Sequence, residues 1–158
     1  MSVKVTSLLS GLLVAALAAV ASAQAPTCDC QNPRDVTPVV FSMDVFDTLL
    51  RPLQEGAFEI GFDTPTWDYP WYQYGPCQLL VDCEEVGVEG YWWSNGDFCN
   101  LAGYNITQYV DGGWVSVYGY IWQERAYGWA LVFGVDGVED GVYYTEGEAG
   151  CCENESPQ

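Results

Sequence analysis

The chain has 158 residues, with 22 carboxylates against four lysines and arginines, no histidine, and a formal net charge of −18. That field excludes nucleic acid and anionic membranes as partners, because both would be repelled. The missing histidine excludes the Ser-His-Asp and Cys-His schemes of nucleophilic catalysis.

Lys4 precedes an apolar stretch, Leu8 to Ala21, and Ala21-Ser22-Ala23 then supplies small residues at the positions a signal peptidase reads. Residues 1–23 are therefore read as a signal peptide, too short to span a bilayer comfortably. Cleavage after Ala23 leaves a secreted, extracellular chain of 158 − 23 = 135 residues, the size of one domain. It contains no lysine, and Arg34, Arg51 and Arg125 face 22 carboxylates, for a net charge of 3 − 22 = −19. The composition fits an acidic or protease-rich setting, or an apoplastic effector or toxin that escapes lysine-directed ubiquitin.

Residues 24–38 form a polar lead-in with two cysteines, residues 39–150 a β domain, and residues 151–158 an acidic Cys-Cys tail stapled to it. Val39–Asp47 is apolar and strand-like, whereas Val45, Phe46, Leu49, Leu50 and Leu53 repeat at helical spacing, interrupted by Pro52. Thr64–Pro76 holds three prolines among its aromatics and reads as an irregular loop or an edge. The other runs are rich in Val, Ile, Tyr, Phe and Trp: Ala57–Phe62, Cys77–Cys83, Val88–Trp93, Asn105–Val110, Trp114–Gln123, Tyr127–Val135 and Gly141–Thr145. Asn95-Gly96, Asp111-Gly112-Gly113, Asp136-Gly137 and Asp140-Gly141 mark turns, and the clearest hairpin turns near Glu124-Arg125-Ala126. Short strands with regular turns predict a mainly β fold: a small, disulfide-stapled antiparallel sandwich or barrel.

Seven cysteines, Cys28, Cys30, Cys77, Cys83, Cys99, Cys151 and Cys152, fit an oxidising compartment. Adjacent Cys151 and Cys152 need different partners, because neighbouring Cα atoms are only about 3.8 Å apart. The simplest pairing joins Cys28 and Cys30 to Cys151 and Cys152. One of Cys77, Cys83 and Cys99 is then left free, or pairs with a second chain in a disulfide-linked dimer. The spacing does not suit zinc. Two glycosylation sequons begin at Asn105 and Asn154.

Two short stretches resemble known enzymes. Val39-Val-Phe-Ser-Met-Asp44-Val-Phe-Asp47-Thr48 resembles the first motif of the haloacid dehalogenase-like hydrolases, in which Asp44 would be the nucleophile and Thr48 the residue after its loop. That family needs a lysine or arginine beside the nucleophile and alternating helices, and the rest of this chain reads as hairpins. Val115-Ser-Val-Tyr-Gly-Tyr120 and Tyr144-Thr-Glu146-Gly resemble pieces of the small jelly-roll xylanases, with Glu146 as one of two carboxyl groups. Tyr127 falls near the place where that family's other glutamate is expected.

The acidic turns Asp136–Gly141 and Asp82–Glu89 depart from the calcium-loop pattern, so only weak calcium association is expected, with no other cofactor. Seven tryptophans and eleven tyrosines exceed what a core of this size needs. They cluster as Trp67, Tyr69, Trp71, Tyr72, Tyr74 and as Tyr91, Trp92, Trp93. Flat rings with polar tips make rigid contact surfaces and suit sugar rings. Within a strand, Trp92 and Trp93 must face opposite sides. The expected ligand-binding residues are Trp67, Tyr69, Trp71, Tyr72, Tyr74, Trp92 and Trp93, in a non-enzymatic protein that recognises a glycan or an extracellular protein. An effector, an acidic calcium-associated matrix protein and a small glycosidase are the alternatives.

Overall fold

The computed structural model describes residues 29–110, 112–150 and 152. The expected signal peptide, Cys28, Cys151 and the Asn154 sequon lie outside the described residues. Nine strands and no helix occur among the described residues: β1 (Val39–Phe46), β2 (Pro52–Phe62), β3 (Trp67–Tyr69), β4 (Tyr72–Val81), β5 (Glu84–Ser94), β6 (Ala102–Val110), β7 (Gly113–Trp122), β8 (Arg125–Phe133) and β9 (Gly141–Gly150).

Every pairing is antiparallel. β9 returns to β1, and β2 pairs with β4 through Glu59–Phe62 and Cys77–Leu80, so eight strands close into a barrel. Of the two expected architectures the barrel is the one formed, and closure removes the free edges that an open sheet would expose. The short β3 lies beside the start of β4 and makes a flap.

The period-two pattern of the strands builds the core. One inward row runs Trp92, Tyr104, Gly119, Gly128, Thr145, Val45 across six strands. Two large rings are followed there by two glycines for a steric reason: a Cβ on Gly119 or Gly128 would lie 2.6 or 2.9 Å from the Tyr104 hydroxyl oxygen. The Tyr104 hydroxyl donates to the Tyr127 carbonyl (3.3 Å), and burial pushes its pKa up. Phe98, from the β5–β6 loop, plugs one end of the barrel and packs edge-on against Phe62 (5.1 Å between centroids) and Trp92 (5.2 Å).

Several expectations are corrected. The helical spacing of Leu49, Leu50 and Leu53 yields no helix. Asp47 instead gathers a tight loop, accepting from the Leu49 and Arg51 amides (both 2.9 Å). Of the two readings of Thr64–Pro76 the edge holds, because it contains β3, the outermost strand, and the start of β4, and only the irregular loop is corrected. The hairpin between β7 and β8 turns one residue earlier than expected, at Gln123-Glu124, where both φ angles are positive. Nor do Cys30 and Cys152 join each other's ends of the chain. Cys30 bonds Cys99 and Cys152 bonds Cys83, each across 69 residues. The first bond pins the loop that carries Phe98, and the second fastens the tail to the β4–β5 turn. Cys77 is free and fully buried on β4, where burial keeps its thiol protonated. A disulfide-linked dimer through Cys77 would have to open the core.

Candidate binding groove on the barrel exterior

The outward positions of the strands form rows as regular as the inward ones. One row, read across hydrogen-bonded neighbours, is Trp67, Tyr74, Trp93, Gly103, Tyr120, Tyr127, Glu146, Asp44. From Trp93 on β5 to Asp44 on β1 it crosses five strand spacings of ~4.8 Å, about 24 Å along the surface. A second row carries Tyr91, Asn105, Tyr118, Trp129, Tyr144 and Phe46.

Gly103 shapes the first row. A Cβ there would come within 2.3 Å of the Trp93 ring, so its absence lets the indole lie flat across β6. Trp71, Tyr72, Trp93, Leu101 and Tyr120 then wall an open groove of about 390 Å³, with Ser94 and Asn95 as polar neighbours. Trp71 is 73% exposed and Tyr120 is 52% exposed. Two ring pairs lie near-parallel: Tyr120 and Tyr127 in the row at 5.6 Å and 29°, and Tyr69 and Trp71 on the flap at 5.8 Å and 23°.

A polar brace holds the flap that carries Trp67, Tyr69 and Trp71. Arg34 grips the Asp68 carboxylate from Nε (2.9 and 3.0 Å) and from its terminal nitrogen. The buried Gln73 donates to the same carboxylate (3.0 Å) and accepts from Asn32 (3.2 Å). The hydrogen bond from Arg34, joined by that from Gln73, holds the Asp68 carboxyl below the usual carboxylate range. Pro70, at the tip of the flap, sits so close to Gly96 that a Cβ on Gly96 would approach the Pro70 carbonyl oxygen to 2.4 Å.

The row ends in charge. Arg125 reaches Glu146 (3.5 Å) and Glu148, beside a cleft of about 440 Å³ that Ser42, Asp44 and Glu55 help to line. Asp44, the nucleophile implied by the dehalogenase-like motif, instead accepts from the Gly56 amide (2.7 Å) on an all-strand scaffold. Glu146 lies directly opposite Asp44 and Tyr127 in the ladder. Among the described residues no group of three or more acids, cysteines or histidines is placed to hold a metal ion. The acidic turn is used internally: Asp140 accepts from the Gly134 amide (2.7 Å), and the Glu139 carbonyl from the Tyr143 hydroxyl (2.5 Å).

Of the seven expected ligand-binding aromatics, Trp67, Tyr69, Trp71, Tyr72 and Trp93 are exposed and Tyr74 is half-buried between Trp67 and Trp93. Trp92 is a correction. It is 0% exposed, donates from Nε1 to the Asp63 carbonyl (3.1 Å), and belongs to the core. Tyr120, Tyr127 and Leu101 join the site only through rows across strands, which clusters along the chain do not reveal. The outward parity of Tyr118, Tyr120 and Trp122 was the available signal.

The class these features define is a closed antiparallel β-barrel with an aromatic exterior groove. Comparisons with protein families, curated proteins and solved structures find no match to this chain.

Proposed function

We propose that this is a secreted binding protein that holds a neutral polysaccharide chain along the first exterior row. The carrying observation is the alignment of Trp93, Tyr120 and Tyr127 in one row over β5–β8, with Gly103 between the first two, Trp71 at one end and carboxylates at the other. Ring faces suit the C–H faces of sugars, and Asn95, Glu146 and Asp44 offer partners for hydroxyls. Among the described residues no arginine lines the groove beside Trp71, and the net charge of −18 repels polyanions, so an uncharged chain fits best. Two intramolecular disulfides are compatible with an extracellular setting.

A protein partner is the second reading, supported by the neighbouring row Tyr118, Trp129, Tyr144 and Phe46, which adds contiguous apolar surface on β7–β9 and β1. Retention of the secreted protein on chitin, cellulose or β-glucan, with and without calcium, separates the two. Retention that Trp71→Ala removes supports the polysaccharide reading. No retention on any polymer rejects it in favour of a protein partner.

A further inference from the structure

The barrel is filled unevenly. At the plugged end the inward residues are Phe41, Phe62, Trp92 and Tyr104 with Phe98. Toward the β1–β2 and β8–β9 loops the inward residues shrink to Val45, Val115, Val117, Ala130 and Val132, with Phe58, Leu79 and Tyr143 at the sides. These small side chains leave a cavity of about 400 Å³ inside the barrel mouth. Leu53 and Val138 stand exposed at its rim.

The β8–β9 loop beside this space is tied on itself. The Gly134 amide donates to Asp140, the Val138 amide to the Val135 carbonyl (3.2 Å), and the Tyr143 hydroxyl to the Glu139 carbonyl. The loop thus forms one wall of the mouth through Gly137, Val138 and Glu139.

We propose that the barrel mouth is a binding site for a small, neutral, predominantly aliphatic molecule, separate from the exterior groove. Its volume lies in the range of ligand pockets, and eight-stranded barrels have room for one small ligand. Its walls are aliphatic, and the polar groups among the lining residues are those of Gln54, Glu139 and Tyr143. Among the described residues no cation lines it to hold an anion, and Glu139 disfavours one. A hydroxyl on the ligand would meet Gln54 or Glu139 at the rim.

Titration of the protein with N-phenyl-1-naphthylamine, an uncharged apolar fluorophore, tests the assignment. Saturable fluorescence at one probe per chain is expected. Ala130→Leu and Val132→Phe, which fill the cavity from β8, should weaken binding at least tenfold, while Trp71→Ala leaves it unchanged. No saturable binding overturns the proposal. So does equal binding by filled variants that melt like the parent, or loss of binding in Trp71→Ala, which would put the probe outside. If neither filled variant folds, methyl NMR of the parent protein decides. Probe-induced shifts at Val115, Val117 and Val132 support the site, and shifts confined to other residues overturn it.

Discussion

Single residues divide the aromatics into two jobs. Trp92 fills the barrel, whereas Trp71 stands on the surface stacked on Tyr69, so Ala substitutions should separate them. Trp92→Ala leaves a large cavity and an unpaired Asp63 carbonyl, and is expected to cost about 3–5 kcal/mol in a urea melt. Trp71→Ala should stay within about 0.5 kcal/mol of the parent. Gly103→Ala tests the seat of the indole. The added methyl pushes the mobile end of a half-exposed ring rather than backbone, so Trp93 should swing away and binding should fall more than stability. The burial of Trp92 and exposure of Trp93 follow from adjacency in a strand, but which of them faces in was not legible. That is decided by Tyr104 and Gly75, the cross-strand neighbours of Trp92 on β6 and β4, which are distant in sequence.

At the level of elements, two hairpin turns hold a consecutive pair of non-glycine residues in the left-handed region: Asp82-Cys83 and Gln123-Glu124. Each is tied down, the first by the Cys83–Cys152 disulfide and the second by the Glu124 amide donating to the Cys99 carbonyl (2.7 Å). Two positive φ angles in succession suit Asn-Gly far better than Gln-Glu. Gln123→Asn with Glu124→Gly should therefore raise stability by about 1 kcal/mol in denaturant titration, with the spectra of the barrel unchanged. Most strands were legible as β-branched and aromatic runs, but this turn was displaced by one residue because it carries no glycine. The disulfide partners were illegible for a different reason. Pairing depends on how the barrel folds the tail and the β5–β6 loop back, and spacing along the chain carries no record of that. Each bond closes a loop that the chain-entropy model values at about 4 kcal/mol. Cys30→Ser, Cys99→Ser and Cys83→Ser, Cys152→Ser pairs should each lower the melting temperature substantially.

The whole molecule carries a charge that the fold must tolerate. Acidification relieves carboxylate repulsion, and burial raises the Asp63 pKa, so protonation of Asp63 as pH falls favours the folded state. Asp47 and Asp68 act in the opposite sense. The Arg51 backbone amide leads in holding down the Asp47 pKa, and the Arg34 side chain leads for Asp68. Their stabilisation is present above the ordinary Asp value and is lost as pH falls through the depressed ones. The melting temperature should rise from pH 7 to about pH 4.5 and fall below about pH 3.5, around the ordinary Asp pKa of ~3.9. Asp63→Asn should flatten part of the rise. The same acidity favours an uncharged ligand, and the exterior row sets its expected length. Calorimetric titration with neutral oligosaccharides of increasing length, drawn from whichever polymer retains the protein, is the most direct test. Affinity is predicted to rise with each added sugar up to about five units, the span of the row at one strand spacing per unit, and to fall sharply for long chains in Tyr120→Ala. Affinity that saturates at one or two units, or that Tyr120→Ala leaves unchanged, would contradict a polysaccharide site along the barrel exterior.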